Sequence, residues 1–320
     1  AAQGFLMATL EIESLTKWYG SARGVEDVTF SVEPGEIFGY LGPNGSGKTT
    51  TIRCAMGLLR ATRGQVRILG EKVEVGRGTQ HTRIGYLPGD FRIWPRLRAR
   101  RSLSVLALLG GPDGAGARRR ELAERLDLDL DRPVDDLSKG NRQKVGVIYA
   151  FQHQPDLLIL DEPTIGLDPL ISQIVLDMIR EAAEANATVL LSSHDLTEVA
   201  AVCGRAGILR DGRLVELAPI SDIVRQGERR LKVWFLDQNL LPELPAGKLP
   251  GVRVIDQQPG MLHVAYQGTS DAIIKWIARL PVERIATPET SLEDAFMQYY
   301  RPQSPSAAAN ASDTTRGDAE

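Results

Sequence analysis

Cysteine is scarce in this chain. Cys54 and Cys203 are the two present, far apart and without metal-ligand spacing, so neither a disulfide framework nor a cysteine metal site is on offer. They read as small buried residues of a reducing compartment. Long apolar runs are missing as well. No stretch of eighteen apolar residues occurs, so nothing here reads as a membrane-spanning helix. A basic excess is also absent: 38 Lys and Arg against 41 Asp and Glu give a net charge of −3, which argues against a dedicated nucleic-acid binder. The opening "AAQGFLM" lacks a basic n-region and an apolar run long enough for a signal peptide. Met7 reads as the natural start, residues 1–7 as a leader, and the chain as cytoplasmic. The end, "RPQSPSAAANASDTTRGDAE", is small and polar, and a disordered tail is expected over 301–320.

What the chain does have is the 42% apolar content of an ordinary globular protein, over 320 residues, enough for a large core and for two units. Residues 9–13 and 28–32 alternate apolar and polar as half-buried strands do, and "IFGYL" (37–41) reads as a fully buried strand. Its glycine-rich end opens into a helix expected from Lys48 to about Leu59. Short strands are expected at 64–69 and 82–87, then a mostly helical stretch over about 90–150 with a glycine-rich break at 110–116. "DLLILDE" (156–162) and "TVLLSSH" (188–194) read as buried strands. Between them, apolar residues at 170, 171, 174, 175, 178, 179 and 182 form a helical stripe. "ILRDGRLVE" is a hairpin with an Asp-Gly turn. Strands alternating with helices imply parallel pairing and an α/β fold. After residue 227 the texture changes. "LKVWFL", "VRVID", "LHVAY" and "VERIAT" look like strands, and "SDAIIKWIARL" and a closing "SLEDAFMQYY" look like helices. That predicts a second, small α+β domain over 228–300.

The densest chemistry lies in "GPNGSGKT", Gly42-Pro43-Asn44-Gly45-Ser46-Gly47-Lys48-Thr49, which fits G-x-x-x-x-G-K-[ST] in full. It falls between a buried strand and a helix, the P-loop arrangement. Glycines let backbone N–H groups curl round an anion, and the helix points its positive end at it. Lys48 reaches β and γ phosphates, Thr49 can ligate Mg²⁺, and Thr50 follows on the same turn. "LLILDEP" places Asp161 and Glu162 at the C-terminal end of a core strand, where open α/β sheets bind ligands. One carboxylate can hold Mg²⁺ and the next can orient and deprotonate a water. In "LSKGN" (137–141), Ser138 is a natural N-cap and Gly140 exposes backbone N–H at a helix start, so the element reads as a capped helix or a second anion seat.

Together with the D-loop pattern "GLDP" (Gly166 to Pro169) and the histidine of "SSHD", these motifs make residues 8–220 resemble the ATP-binding cassette (ABC) ATPases, in family order. The resemblance implies a P-loop NTPase cassette at 8–227, with a RecA-like core, an antiparallel β subdomain and a helical subdomain at about 90–150. It implies ATP and Mg²⁺ as cofactors, with Thr49 and Asp161 on the metal, Glu162 as base and His194 contacting the γ-phosphate. Tyr19, in "KWYG", stands where the family stacks an aromatic on adenine. It further implies that two cassettes pack head to tail, so that Ser138 and Gly140 act on the nucleotide of the partner copy, and it counts Asp168 of the D-loop among the nucleotide-binding residues.

The chain departs from the family after "IGYLP". Where a glutamine normally touches Mg²⁺, Gly89 stands, and Asp90 or a water is expected to substitute. The signature carries Lys139 and Asn141 in place of the commoner glycine and glutamine. "RIWPRLRARR" (92–101) reads as a solvated basic face, or as the groove that receives a membrane subunit, with Trp94 and Leu97 at the interface. The single cassette with its C-terminal domain resembles the ATPases of bacterial exporters with type-2 permeases. Implied partners are a second cassette (a homodimer, with a heterodimer as the alternative) and a separate permease, and no nucleic acid. The implied location is the cytoplasmic face of the membrane. A soluble cassette ATPase acting on ribosomes or DNA is the rival reading. A nucleotide-sensing regulator is a third, against which the intact Glu162 speaks.

Overall fold

The computed structural model describes residues 7–76, 81–109, 115–226, 229–242, 244, 249, 251–266 and 269–287. β1 (Leu10–Tyr19) and β2 (Ala22–Val32) form an antiparallel hairpin with Leu10, Ile12, Val28, Phe30 and Val32 buried, the period-two pattern of a sheet with one wet face. β3 (Ile37–Leu41), buried from Phe38 on, hands the chain through the glycine loop into α1 (Lys48–Ala55). β4 (Arg63–Ile68) and β5 (Glu71–Lys72) return to the hairpin, giving a sheet of order β2-β1-β4-β5.

β6 (Ile84–Leu87) precedes the helices α2 (Ala99–Leu109), α3 (Gly116–Arg125) and α4 (Lys139–Phe151). Then come β7 (Leu157–Asp161), α5 (Pro169–Glu184), β8 (Thr188–Ser193) and α6 (Leu196–Val202). β9 (Arg205–Arg210) and β10 (Arg213–Pro219) close a hairpin over Asp211 and Gly212, whose φ values of 49° and 75° are those a type I′ turn needs. The second sheet has the order β10-β9-β3-β8-β7-β6 and is parallel except for β10. Its middle strands β7 and β8 are buried at every residue, because helices cover one face and the first sheet's layer the other. Successive residues alternate between two cores: Leu158, Leu160, Val189 and Leu191 join one, Leu157, Ile159 and Leu190 the other.

After α7 (Ile220–Gln226), the strands β11 (Arg229–Phe235), β12 (Val252–Gln258) and β13 (Met261–Tyr266), helix α8 (Asp271–Ile277) and β14 (Val282–Ala286) build an antiparallel sheet of order β12-β13-β11-β14. Leu231, Val233, Phe235, Leu262 and Val264 pack with Ile273 and Ile277 of α8 into a separate core. The fold is therefore an α/β cassette followed by a small α+β unit.

The departures from expectation have local causes. α1 stops at Ala55 rather than near Leu59, because Gly57 takes φ 65° and its N–H bonds back to the Cys54 carbonyl. β1 runs on past residue 13 to Tyr19 by way of register shifts around Ser14, at φ 47°. Residues 90–98, within the stretch expected to be mostly helical, are irregular, and the seven-residue helices α6 and α7 were not anticipated from the sequence. The leader up to residue 6, the centre of the 110–116 break, the "SLEDAFMQYY" helix and the tail lie outside the described residues.

Backbone crowding makes one glycine in β6 decisive for stability. A Cβ on Gly85 would fall 2.2 Å from the Ala150 carbonyl oxygen, a backbone atom of α4 that cannot step aside, whereas one on Gly204 would meet nothing within 4 Å. Gly85→Ala should lower the unfolding free energy by about 3 kcal/mol and Gly204→Ala by no more than about 0.5 kcal/mol. Urea midpoints at constant slope measure both.

Candidate active site

Parallel pairing sends the ends of β3, β7 and β8 to one edge. Leu41 stands opposite Ser193 and Asp161 opposite Ser192, so three loops leave the sheet side by side. The first is the glycine loop. Gly47 adopts φ 111°, and a Cβ there would sit 2.5 Å from Val25 Cγ1 and 2.7 Å from the Gly24 carbonyl. No side chain caps α1 and its first turn holds no acid, so its N–H groups remain available to an anion. Ser46 is 3% exposed, and its Oγ lacks a hydrogen-bond partner among the described residues. An uncapped helix start, an orphaned hydroxyl and a buried ammonium together fit a polyphosphate.

That ammonium belongs to Lys48, 6% exposed, which donates to the Gly42 carbonyl at 2.6 Å and lies 3.3 Å from Glu162 Oε1. Asp161 is fully buried. Its Oδ2 accepts from Thr49 Oγ1 at 2.8 Å and its Oδ1 from Ser192 Oγ at 2.9 Å. Thr49 and Asp161 are hard oxygen donors side by side, the pair a Mg²⁺ ion takes when phosphate and water fill the rest of its shell. Among the described residues no group of three or more His, Cys, Asp or Glu forms a protein-only cage. Burial, and then the Asp161 charge, push the Tyr86 hydroxyl of β6 up to about 12.

Glu162 holds a left-handed backbone, φ 55°, which turns its carboxylate back over the loop. Its Oε2 is 2.6 Å from His194 Nδ1. A carboxylate only accepts, so Nδ1 carries the proton of that bond. Gln143 of α4 fastens the turn from behind, donating to the carbonyls of Glu162 (3.1 Å) and Pro163 (3.0 Å).

Gly47, Lys48, Thr49, Asp161 and Glu162 floor a cleft of about 450 Å³ that also takes in Tyr19, Pro43, Asn44, Gly45, Thr50, Gly89 and Asp90, while His194 lines an adjoining cleft that shares Glu162. Tyr19 is half exposed at the end of β1, its hydroxyl 3.4 Å from Thr50 Oγ1 and its ring beneath the Lys17 ammonium at 5.2 Å. Gly89 offers backbone only, and a Cβ there would stand 3.3 Å from Asp161 Oδ2. Asp90 lines the cleft, but its carboxylate pairs with Arg92 at 2.8 Å. Trp94 is exposed, and beside it Phe91, Ile93 and Pro95 line a groove of about 540 Å³.

Ser138, Gly140 and Asp168 do not line the phosphate cleft. Ser138 caps α4, accepting from the Asn141 N–H at 3.1 Å, and Asp168 caps α5, accepting from the N–H groups of Leu170 and Ile171. Gly140 is pressed against the turn that precedes Asp168: a Cβ would fall 2.7 Å from the Gly166 carbonyl. Sequence reasoning missed Gln143 and Ser192. The signal for Gln143 was a polar residue on a helix whose neighbours Val145, Val147 and Ile148 are buried; Ser192 was hidden inside an apolar strand.

Comparison with known proteins adds to this geometry. The family profile described as "ABC transporter" matches residues 25–165. The chain is 33% identical over 295 residues to the bacitracin transport ATP-binding protein BcrA of Bacillus licheniformis, covering 90% of this chain and 96% of that protein. It is 34% identical to the Nod factor export ATP-binding protein I of Paraburkholderia xenovorans, over 66% of this chain and 71% of that one. A solved ATP-binding subunit of an ABC transporter superposes with a TM-score of 0.64 at 34% identity, covering 68% of this chain and 92% of that one. The dimeric cassette MJ0796 gives 0.61 at 22% identity, over 66% and 98% of the two chains.

Gln143→Leu keeps the volume but strips the Pro163 carbonyl of its donor and leaves the Glu162 carbonyl only the Ile165 N–H at 3.3 Å. It should lower the unfolding free energy by about 2 kcal/mol, a drop in melting temperature of roughly 4–8 °C, read by differential scanning calorimetry.

Proposed function

Because this chain belongs to the ABC transporter family as an ATP-binding, ATP-hydrolysing subunit, we propose that its hydrolysis powers export of a small molecule, drug or lipid through a separate membrane permease. Relatives named for bacitracin transport and Nod factor export support that direction. No helix among the described residues is long and apolar enough to cross a membrane, which fits a permease on another polypeptide and attachment at the cytoplasmic face. The exposed Trp94 and its groove offer a seat for that partner.

The observation that carries the mechanism is the meeting of Lys48, Thr49, Asp161, Glu162 and His194 at one sheet edge. The glycine-loop N–H groups and Lys48 bind the phosphates, Tyr19 supports the base, and Thr49 with Asp161 holds Mg²⁺. The metal, when bound, neutralises charge on the transferring phosphoryl group. Glu162 takes the proton of the attacking water. His194 orients that carboxylate through Nδ1, and donation from Nε2 to the terminal phosphate requires the ring to carry both protons.

Ser138, Gly140 and Asp168 stand outside the cleft, which supports their serving the nucleotide of a second copy in a head-to-tail dimer. Removing the base while keeping the shape should then arrest the closed state. Glu162→Gln with ATP and Mg²⁺ should run at twice the monomer mass in light scattering, and a variant that stays monomeric would sink the sandwich. Cell fractionation provides a separate check. The native protein should follow detergent-solubilised membranes together with a hydrophobic partner; recovery with ribosomes or DNA would favour the soluble reading.

A further inference from the structure

We propose that Glu198 is a positioning residue of the hydrolysis site, tying the loop that carries Glu162 to the strand end that carries His194. The pattern "DLTE" (Asp195 to Glu198) has the spacing of a capping box, in which the last carboxylate reaches back to the first residue's N–H. The structure divides the work differently. Asp195 caps α6, accepting from the N–H groups of Thr197 at 2.8 Å and Glu198 at 3.3 Å. Its own N–H donates to Ser193 Oγ at 2.9 Å, so Glu198 is released from capping.

Glu198 Oε2 instead accepts from Thr164 Oγ1 at 2.8 Å and from Ser193 Oγ at 3.3 Å. Thr164 lies two residues beyond Glu162, and Ser193 directly precedes His194. A single carboxylate oxygen thus spans both segments whose tips make the 2.6 Å contact between Glu162 and His194. Both hydroxyls are buried, Thr164 at 8% and Ser193 at 1% exposure. The acid sits in the wall of a cleft of about 470 Å³ shared with Glu162, Gly166 and His194. Burial raises the Glu198 carboxyl above the ordinary range, and the Thr164 hydroxyl draws it back. A seven-residue helix already capped by Asp195 has no need of such an acid. Thr164 also starts the turn through Gly166, its carbonyl accepting from the Leu167 N–H, and the Gly166 carbonyl lies close against Gly140 of α4.

The inference rests on Glu162 as base, and Glu162→Gln, expected to abolish turnover, is assayed alongside to test that reading separately. Glu198→Ala and Thr164→Val should each lower kcat for ATP about tenfold, with nucleotide affinity changed less than about twofold. The double variant should be no worse than the poorer single one, because both changes cut the same link. Glu198→Gln should recover most of the loss, since an amide oxygen accepts both hydroxyls. Additive losses, an unaffected kcat in either single variant, or a Gln variant as slow as the Ala variant would each overturn the assignment. Should Glu198→Ala fail to fold, Thr164→Val and Glu198→Gln decide the matter alone.

Discussion

The register of the parallel strands β3, β7 and β8 governs what this molecule can do. β3, β7 and β8 are paired so that Leu41, Asp161 and Ser193 end at one edge. A slip of two residues along β7 would carry Asp161 a full pleat repeat, roughly 7 Å, away from Thr49. Burial on both faces holds the register against a one-residue slip: alternate residues of β7 and β8 belong to different cores, and such a slip would send every side chain to the wrong one.

At that edge the fold concentrates charge where water is nearly absent. A fully buried Asp161 and an almost buried Lys48 would be costly if either stood alone. Asp161 is satisfied by two hydroxyls, and Lys48 by a carbonyl and the Glu162 carboxylate. The same groups that tolerate burial by pairing with each other are the ones a nucleotide triphosphate and its metal would engage. The arrangement thus keeps the Asp161, Lys48 and Glu162 charges partnered where they stand. Glu162 adds a strained backbone, and the structure compensates with Gln143 behind it and the Thr164–Glu198–Ser193 bonds beside it.

The signature element has structural work of its own within one copy. Ser138 is a helix cap, and Gly140 is required by the close approach of Gly166, so both have complete explanations within a single copy. Those local roles fix α4 against the loop that follows Glu162. Ser138 and Gly140 themselves stay outside the lining of the chain's own phosphate cleft.

Much was legible in the residues themselves. Glycine spacing, the lysine and threonine after it, and carboxylates at the end of an apolar strand are local signals, because the chemistry of phosphate binding demands those types at fixed separations. Likewise β3, β7, β8, the Asp-Gly hairpin and the α5 stripe follow from periodicity and turn chemistry. The sequence by itself could not tell that Gln143 and Ser192 support the site, or that Glu198 leaves its capping box for Thr164. Each of those depends on which segments meet in space. Hydrogen-bond partners dozens of residues apart are chosen by the sheet's register and by packing, and no local pattern encodes them.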